Sequence, residues 1–552
     1  MTICWLVPSL AFLSFFFFSL FSSAWAQEEN GERVTPIPSG PYRIAGMVVN
    51  GKTGSPLTRA RVTIADAKER QSVQFVINGD DGRFEFHVPA GKYSLTGAKR
   101  GFIAASYNQH EQFSTAIVTG ADVDTENLAL RLQPNAVLSG QVLDEFQEPV
   151  RNAQVILYRE DHFQGVSRID RRGGAMTNDQ GHYEITPLQP GTYFVAVKAT
   201  PWYAVHPEAG GKGSSGRSQV DPALDVVYPI TYYGDTTETD SAIPIPVRGG
   251  DRLEADIHLT PLPSLHLIVH VPQESKGVYR IPQLQKPTFD GLEQNENASV
   301  QQISDGVFEL SGIAAGRYTL RMPDENGSAR ESSEVDLASG GELDVSSATP
   351  TSTVKIRVQI AGAAGAPPKT HIGLRNGKGR ANTAPVDDKG EATFSDVAAG
   401  KYDIVAGSRL KAYAVTRIAS ETGSIAGHTL NVPAGASLSL TVTLVGGSVT
   451  VEGSAKRDGK PVAGAMIVLV PKEANTDRSL FRRDQTDLDG SFALANVIPG
   501  AYTVLAIDDG WDLNWSEPGV LAPYLGRGQV VEVGDRAGSP MRLAEAVVVQ
   551  GK

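Results

Sequence analysis

The sequence predicts an all-β protein, a tandem array of about five antiparallel β-sandwich domains that follow a signal peptide. Three observations support this fold class. Glycine (57) and proline (33) are plentiful, as is typical of turns between short strands. Apolar and polar side chains alternate over short segments, and helical periodicity is almost absent. One turn-and-strand signature occurs five times at a spacing of about a hundred residues, which is long enough for a domain.

The first 26 residues are predicted to be a signal peptide. An apolar run from Leu10 to Phe21 precedes Ala24-Trp25-Ala26, a small-x-small pattern that favours cleavage. The run is short for a membrane span and no second long apolar run follows, so we expect no transmembrane span after cleavage. An uncleaved anchor is the alternative. Residues 27–39 are interpreted as a linker, and the expected location is secreted or periplasmic (cell envelope).

Cysteine content and charge narrow the function classes. Cys4, inside the predicted signal peptide, is the single cysteine, so the mature chain can form no internal disulfide or thiolate metal site. The net charge of −12 repels phosphate backbones, and no nucleic-acid partner is expected.

The repeated signature has a physical meaning at each position. An Asp or Asn followed by Gly closes a hairpin, because the side chain accepts a backbone hydrogen bond and Gly adopts a positive φ. An alternating strand and a second turn with Gly follow, and a Tyr stands two residues after that Gly in all five copies. Such a Tyr can pack inward while its hydroxyl bonds nearby backbone, as in a tyrosine corner. The signature residues are Gly82, Gly91, Tyr93; Gly181, Gly191, Tyr193; Gly306, Gly316, Tyr318; Gly390, Gly400, Tyr402; and Gly490, Gly500, Tyr502.

The copies place the domain boundaries. The predicted sandwiches span 40–135, 136–262, 263–350, 351–446 and 447–552. The second is enlarged by an aromatic-rich insertion, the fifth is enlarged in the same region, and the third and fourth are divergent.

These motifs resemble the carboxypeptidase regulatory-like domain. The likeness rests on Gly-x-Val, then Pro-Val-x-x-Ala-x-Val-x-Leu, then Asp-x-x-Gly-x-Phe/Tyr, then Pro-Gly-x-Tyr, and it is strongest in the first, second and fifth units. The resemblance implies an Ig-like or transthyretin-like sandwich related to carbohydrate-binding-like folds, in the bacterial exported type. It also implies a non-catalytic role, because that domain accompanies a peptidase domain and no peptidase domain is recognisable here. Fold alone assigns no function.

No catalytic, cofactor-binding or metal-binding residues are predicted. Gly46 to Thr53 matches the phosphate-loop pattern, but its middle residues read as a strand, and Gly54 and Pro56 forbid the helix that such a loop requires. His266 and His270 stand four apart in a predicted strand, which separates them too widely to share a metal. An enzyme with a dispersed site remains a less favoured alternative.

Aromatic residues in the two enlarged units are the candidate ligand-binding residues. Rings in loops near Asp and Asn could stack on sugar faces, or they could cover a core or pack against a neighbouring domain. The candidates are Trp202, Tyr203, Tyr232, Tyr233, Trp511, Trp515 and Tyr524, with Tyr228 in the same cluster.

The predicted function is therefore a non-catalytic exported binding or scaffold protein without a cofactor. Its expected partner is a carbohydrate or an envelope or extracellular protein. The alternative is a structural spacer or adhesin that binds protein partners, which a linear array would favour.

Overall fold

The computed structural model describes residues 35–552 except 70, 121–122, 163–164, 207–220, 272–280, 290–292, 296–298, 324–328, 345–351, 363–368, 377–380, 409–412, 421–423, 448, 473–477, 518 and 535–539. The predicted signal peptide at 1–26 and the linker up to residue 34 lie outside the described residues. Within the described part, no helix is long and apolar enough to cross a membrane.

The first sandwich packs two sheets around one apolar core. One sheet has the strand order β4-β1-β8 and the other β3-β2-β5-β6, with β7 also paired to β5. Strand β4 alternates exposed and buried residues, and its Phe84 and Phe86 point into the core. The strands are β1 Tyr42–Asn50, β2 Arg61–Asp66, β3 Val73–Ile77, β4 Arg83–Val88, β5 Gly91–Ala98, β6 Ala105–Ser106, β7 Ile117–Thr119 and β8 Leu128–Leu132.

The second sandwich repeats this plan with added short strands. Its sheets have the orders β12-β9-β17 and β11-β10-β13-β15, and β14 pairs with β19. The strands are β9 Ala136–Leu143, β10 Gln154–Asp161, β11 Arg168–Met176, β12 His182–Leu188, β13 Gly191–Lys198, β14 Val226–Val227, β15 Thr231–Tyr232, β16 Ile245–Val247, β17 Arg252–Glu254, β18 Ile257–His258 and β19 Leu262–Pro263.

The third and fourth sandwiches each have a core of their own. The third contains β20 Leu265–His270, β21 Gln283–Pro287, β22 Glu293–Asn295, β23 Ser299–Ser304, β24 Val307–Ile313, β25 Gly316–Pro323, β26 Ala329–Leu337 and β27 Gly341–Asp344. The fourth contains β28 Ser352–Ile360, β29 Thr370–Asn376, β30 Ala381–Pro385, β31 Glu391–Val397, β32 Gly400–Ser408, β33 Tyr413–Ser420, β34 Ser424–Ala426, β35 Thr429–Val432 and β36 Ser437–Gly446.

The fifth sandwich adds a short helix to the same plan. Strands β41, β37 and β45 are neighbours, as are β40, β39, β42 and β43. Its elements are β37 Val449–Arg457, β38 Lys460–Pro461, β39 Met466–Pro471, β40 Arg482–Gln485, β41 Ser491–Val497, β42 Gly500–Asp508, α1 Ala522–Leu525, β43 Gln529–Val533, β44 Met541–Arg542 and β45 Val547–Gly551. The prediction of a tandem all-β array is confirmed.

The sandwiches are not purely antiparallel, which corrects one detail of the predicted fold. In each unit the first strand pairs in parallel with a strand near the end of the unit, as β1 does with β8 and β28 does with β36. The closing strand enters the first sheet after the chain has crossed from the other sheet. A hairpin therefore does not set its direction.

The signature residues occupy recurring positions in the turns and strands of the five sandwiches. The first Gly of each copy has a φ between 70° and 79°, the left-handed region that Gly adopts without strain. The Tyr of each copy donates a hydrogen bond to the carbonyl four residues earlier. The five bonds are Tyr93 to Pro89 (3.1 Å), Tyr193 to Gln189 (2.9 Å), Tyr318 to Ala314 (2.8 Å), Tyr402 to Ala398 (3.0 Å) and Tyr502 to Ile498 (2.7 Å).

Candidate functional site

One end of the second sandwich carries an exposed tryptophan on a hydrogen-bonded base. Trp202 is 83% exposed, and its ring stands at 87° to that of Tyr203, with the ring centres 5.8 Å apart. The Tyr203 hydroxyl donates to Glu145 Oε1, and the Tyr228 hydroxyl donates to Glu145 Oε2 at 2.8 Å. Glu145 lies in the loop between β9 and β10, where its neighbour Phe146 is 74% exposed. We call these five residues the aromatic tip.

The ionisation state of Glu145 explains how Tyr203 and Tyr228 are held in place beneath Trp202. Burial opposes ionisation of Glu145, but hydrogen bonds from Tyr203, from a backbone N–H and from Tyr228 together outweigh burial and lower its pKa. Burial and the hydrogen bond to Glu145 raise the pKa of Tyr203 to about 12, and the same two causes raise the pKa of Tyr228. At neutral pH one carboxylate is thus held by two neutral phenols. The base is fixed, while the indole face of Trp202 stays in solvent.

The other two aromatic candidates of the second unit lie elsewhere. Tyr232 is fully buried, and its ring lies 5.3 Å from that of Phe289 of the third sandwich. Phe289 also meets Tyr158 at 5.1 Å, so these rings join the second and third sandwiches. Tyr233 is half-buried against the core of the second sandwich. Neither Tyr232 nor Tyr233 belongs to the aromatic tip.

A histidine and carboxylate cluster joins the same two sandwiches. His206 Nδ1 lies 2.8 Å from Asp225 Oδ1, and His266 Nε2 lies 2.8 Å from Asp225 Oδ2. His266 Nδ1 lies 3.1 Å from Glu309 Oε1, and Glu309 is 3% exposed. Burial opposes ionisation of Asp225, but the hydrogen bonds from both histidines prevail and lower its pKa. His266 and His270 lie in strand β20, as predicted, and no group of three metal-binding side chains occurs among the described residues.

The fifth unit's tryptophans lie at a junction between the first, second and fifth sandwiches. Trp511 and Trp515 are each 8% exposed. The Trp511 ring stacks on His110 of the first sandwich at 4.9 Å and 4°. Trp515 packs on Gly165 of the second sandwich, where an added Cβ would lie 2.5 Å from the indole. Tyr524 is half-buried at the edge of this cluster. Neighbouring sandwiches thus cover the indole rings of Trp511 and Trp515. Packing against a neighbouring domain was the alternative to sugar stacking for these residues.

An arginine lies at the centre of that junction. Arg483 of β40 donates to Glu111 Oε1 at 3.0 Å and to Oε2 at 2.6 Å. Its guanidinium lies 4.6 Å from the centre of the Trp515 ring and 5.3 Å from that of Phe113. The side chain of Arg483 is 6% exposed, and that of Glu111 is 29% exposed. We call this contact the first–fifth junction.

Further polar contacts extend the first–fifth junction. Gln485 Nε2 donates to the Asn108 carbonyl at 2.6 Å and to Thr115 Oγ1 at 2.8 Å. Lys92 Nζ donates to Asp487 Oδ2 at 2.6 Å. These contacts bring the first and fifth sandwiches together, so the array is not linear.

Sequence reasoning missed the polar residues of both regions. Glu145 is one acidic residue among many, and nothing local marks it as the acceptor for two tyrosines. Arg483 and Glu111 are 372 residues apart, so no sequence spacing reveals their pairing. One sequence feature did indicate that a neighbouring unit packs on the fifth sandwich. Strand β39 is buried at every position, whereas a sheet with one solvated face alternates, and its continuous apolar run predicts a cover on both faces.

The phosphate-loop match lies where the strand interpretation placed it. Gly46 belongs to β1, and the turn from Gly51 to Thr53 leads into an extended segment rather than a helix. The segment from Gly46 to Thr53 therefore does not have the backbone geometry of a phosphate loop.

Comparison with known proteins identifies the first sandwich. Residues 43–132 match the carboxypeptidase regulatory-like domain family, which confirms the resemblance for that unit. A search of the curated proteins found no match.

Solved structures of two pilins and of one further bacterial protein align with parts of the chain. A streptococcal ancillary pilin aligns at 12% identity and a TM-score of 0.20 over 52% of this chain and 99% of its own. The minor pilin of Streptococcus agalactiae gives 13% and 0.21 over 40% and 97%. The Bacillus anthracis TIE protein gives 11% and 0.16 over 75% and 74%. Alignments at these scores carry no inference about function.

Proposed function

We propose that the protein is an exported, non-catalytic scaffold that holds the aromatic tip of its second sandwich in position to bind a carbohydrate. The observation that carries this proposal is the contrast within the tip. Tyr203 and Tyr228 are fixed on Glu145, while Trp202 is left 83% exposed. A rigid base with one open indole face provides a stacking surface for the apolar face of a sugar ring.

The scaffold part of the proposal is supported by the first–fifth junction. Contacts between the first and last sandwiches restrict how far the intervening units can move apart. Ligand binding to a pre-positioned surface avoids part of the entropy cost of ordering it. This arrangement suits a protein that presents a surface, which is the role we assign to it.

The non-catalytic part of the proposal is supported by the contacts of the His and Asp residues between the second and third sandwiches, which are hydrogen-bonded to one another. Both ring nitrogens of His266 face carboxylates, so neither is open to a substrate proton. His206 turns Nδ1 to Asp225 and packs Nε2 against Gly312, where an added Cβ would lie 2.9 Å away. A general base must instead face a substrate or a nucleophile.

Glycan-array binding of the mature chain tests the proposal. Trp202→Ala should abolish glycan binding without altering the fold, because an exposed ring contributes little to stability. Phe75→Ala is the matched control, since it removes a ring that is 55% exposed on β3 of the first sandwich. Binding that is lost in Trp202→Ala and kept in Phe75→Ala supports the carbohydrate assignment. Equal binding by both variants, or no glycan binding by the wild-type chain, refutes it.

A protein partner is the second candidate. Phe146 adds a second exposed ring to the aromatic tip, and exposed aromatic groups of this kind are typical anchors of protein interfaces. Protein binding without glycan binding, sensitive to both Phe146→Ala and Trp202→Ala, would favour the spacer or adhesin function.

A further inference from the structure

A concave site distinct from the aromatic tip lies between the first and second sandwiches. It is a cleft of about 490 Å³, within the size range of small-molecule sites, which occur preferentially at domain interfaces. One wall comes from the segment between β5 and β7 together with Gln133. The other wall comes from the end of β10, the middle of β11 and the turn between β12 and β13.

The walls of the cleft are held in place by contacts of their own. Arg159 donates to Gln189 Oε1 at 3.1 Å and to the Pro190 carbonyl at 3.0 Å. On the opposite wall, Glu111 is fixed by Arg483 of the fifth sandwich. Three sandwiches thus determine the shape of this cleft, and a site that is fixed beforehand binds with a smaller ordering cost.

The charges of the cleft favour an anion. Glu111 is neutralised by Arg483, and Asp161 accepts from Arg172 Nε at 2.9 Å and also from Nη2. Arg159 lies on the same wall, with its Nε 3.5 Å from Asp161 Oδ1. Two guanidinium groups therefore face one carboxylate on that wall. This excess of positive charge stands out in a chain whose net charge is −12.

The unused hydrogen-bonding groups favour hydroxyls beside that anion. Within the described part of the chain, Arg172 Nη1 makes no hydrogen bond, and neither does the side-chain amide of Gln112. Amides can both donate to and accept from hydroxyl groups, whereas a guanidinium only donates. A planar guanidinium edge also matches the geometry of a carboxylate. Ile103 adds an apolar patch to the same wall as Gln112.

We propose that this cleft binds an acidic sugar, one or two rings in size, whose carboxylate pairs with Arg172 and whose hydroxyls contact Gln112. The size of the cleft, its excess positive charge and its free amide all lead to this ligand class. The inference does not rest on the aromatic tip, because the two sites share no residue.

Isothermal titration of the mature chain with D-glucuronate and digalacturonate tests this proposal, with D-glucose and glucose 6-phosphate as the comparison ligands. A uronate should bind with a Kd below about 10 mM, and Arg172→Gln should weaken it about tenfold, as expected for a lost charged hydrogen bond. Gln112→Ala should weaken uronate binding by a smaller factor.

Two matched variants make the test specific. Arg171→Gln removes the neighbouring exposed arginine of β11, which does not line the cleft, and should leave binding unchanged. Trp202→Ala should also bind uronates normally, which separates this proposal from that of the aromatic tip. The proposal is overturned by an absence of uronate binding, by equal effects of Arg171→Gln and Arg172→Gln, or by equal affinity for glucose. Tighter binding of glucose 6-phosphate than of glucuronate would overturn the carboxylate assignment.

Discussion

Replacing Arg483 by alanine should open the first–fifth junction. The substitution removes two hydrogen bonds to Glu111, at 3.0 and 2.6 Å, and the contact with the Trp515 ring at 4.6 Å. Because the Arg483 side chain is 6% exposed, water cannot replace these contacts while the junction stays closed. Glu111 would remain at the junction without its cation.

The size of the effect follows from these contacts. Breaking one side of a buried ion pair costs about 3–5 kcal/mol. Glu111 is 29% exposed, which places this pair at the lower end of that range. The aromatic contact adds about 1 kcal/mol. We expect closure to weaken by about 3–4 kcal/mol in total, more than a hundredfold in the ratio of closed to open forms.

Small-angle X-ray scattering and hydrogen exchange measure this opening. Arg483→Ala should increase the radius of gyration of the chain and speed amide exchange in the segment around Phe113 and in β40. Arg457→Ala is the matched control in the same sandwich. Its ion pair with Asp508, at 2.8 Å, has side chains that are 42% and 44% exposed, and such surface pairs contribute about 0–1 kcal/mol.

A double variant separates the ion pair from the packing. If part of the cost comes from stranding Glu111, then Arg483→Ala combined with Glu111→Ala should lose less than the sum of the two single variants. Scattering and exchange profiles for Arg483→Ala that match those of Arg457→Ala would refute this account of the junction.

Three further predictions concern stability. Burial raises the pKa of Asp484 to about 6, above its unfolded value, so the folded chain binds the extra proton and stability falls as pH rises from about 4 to 6. In urea unfolding the wild-type chain should therefore lose about 2 kcal/mol of stability between pH 4 and pH 7, and Asp484→Asn should not show this loss. Tyr228→Phe should cost about 1–2 kcal/mol in thermal unfolding by removing one of the hydrogen-bond donors to Glu145, whereas Trp202→Ala should stay within about 0.5 kcal/mol. Tyr502→Phe, which leaves a buried carbonyl without its donor, should lower the Tm more than Tyr402→Phe, whose bond is exposed.

The repeated turns and strands were predictable because each depends only on residues that are close to it in the sequence. A turn Gly and an inward Tyr need only their near neighbours, so Gly490 and Tyr502 could be assigned from spacing alone. The parallel closing strand could not be predicted in this way. Its partner is chosen by the path of the chain between the two sheets, and the strand's own residues alternate equally well in either direction.

The contacts between sandwiches could not be predicted from local sequence patterns. The strands whose outer faces they cover are nevertheless marked by continuous apolar runs. Strand β10 is buried at four successive positions and β39 at all six, whereas β2 of the first unit alternates. A continuous apolar strand in such a sandwich indicates that something packs on its outer face. The sequence does not identify that cover, because Phe289 and Trp515 reach these faces from distant parts of the chain.

The unequal burial of three tryptophans is the strongest reason to place function at the aromatic tip. The second and fifth units carry insertions at the same point of the same fold, and each insertion brings tryptophan to the outside of its sandwich. In the fifth unit Trp511 and Trp515 are 8% exposed, whereas in the second unit Trp202 is 83% exposed. Burying an indole ring stabilises the folded chain by about 2–3 kcal/mol. A tryptophan with only a structural role would be expected to be buried in this way. Tyr203, Tyr228 and Glu145 nevertheless fix the base beneath Trp202 without covering its ring, and this open indole face is the reason for our proposal that a ligand binds there.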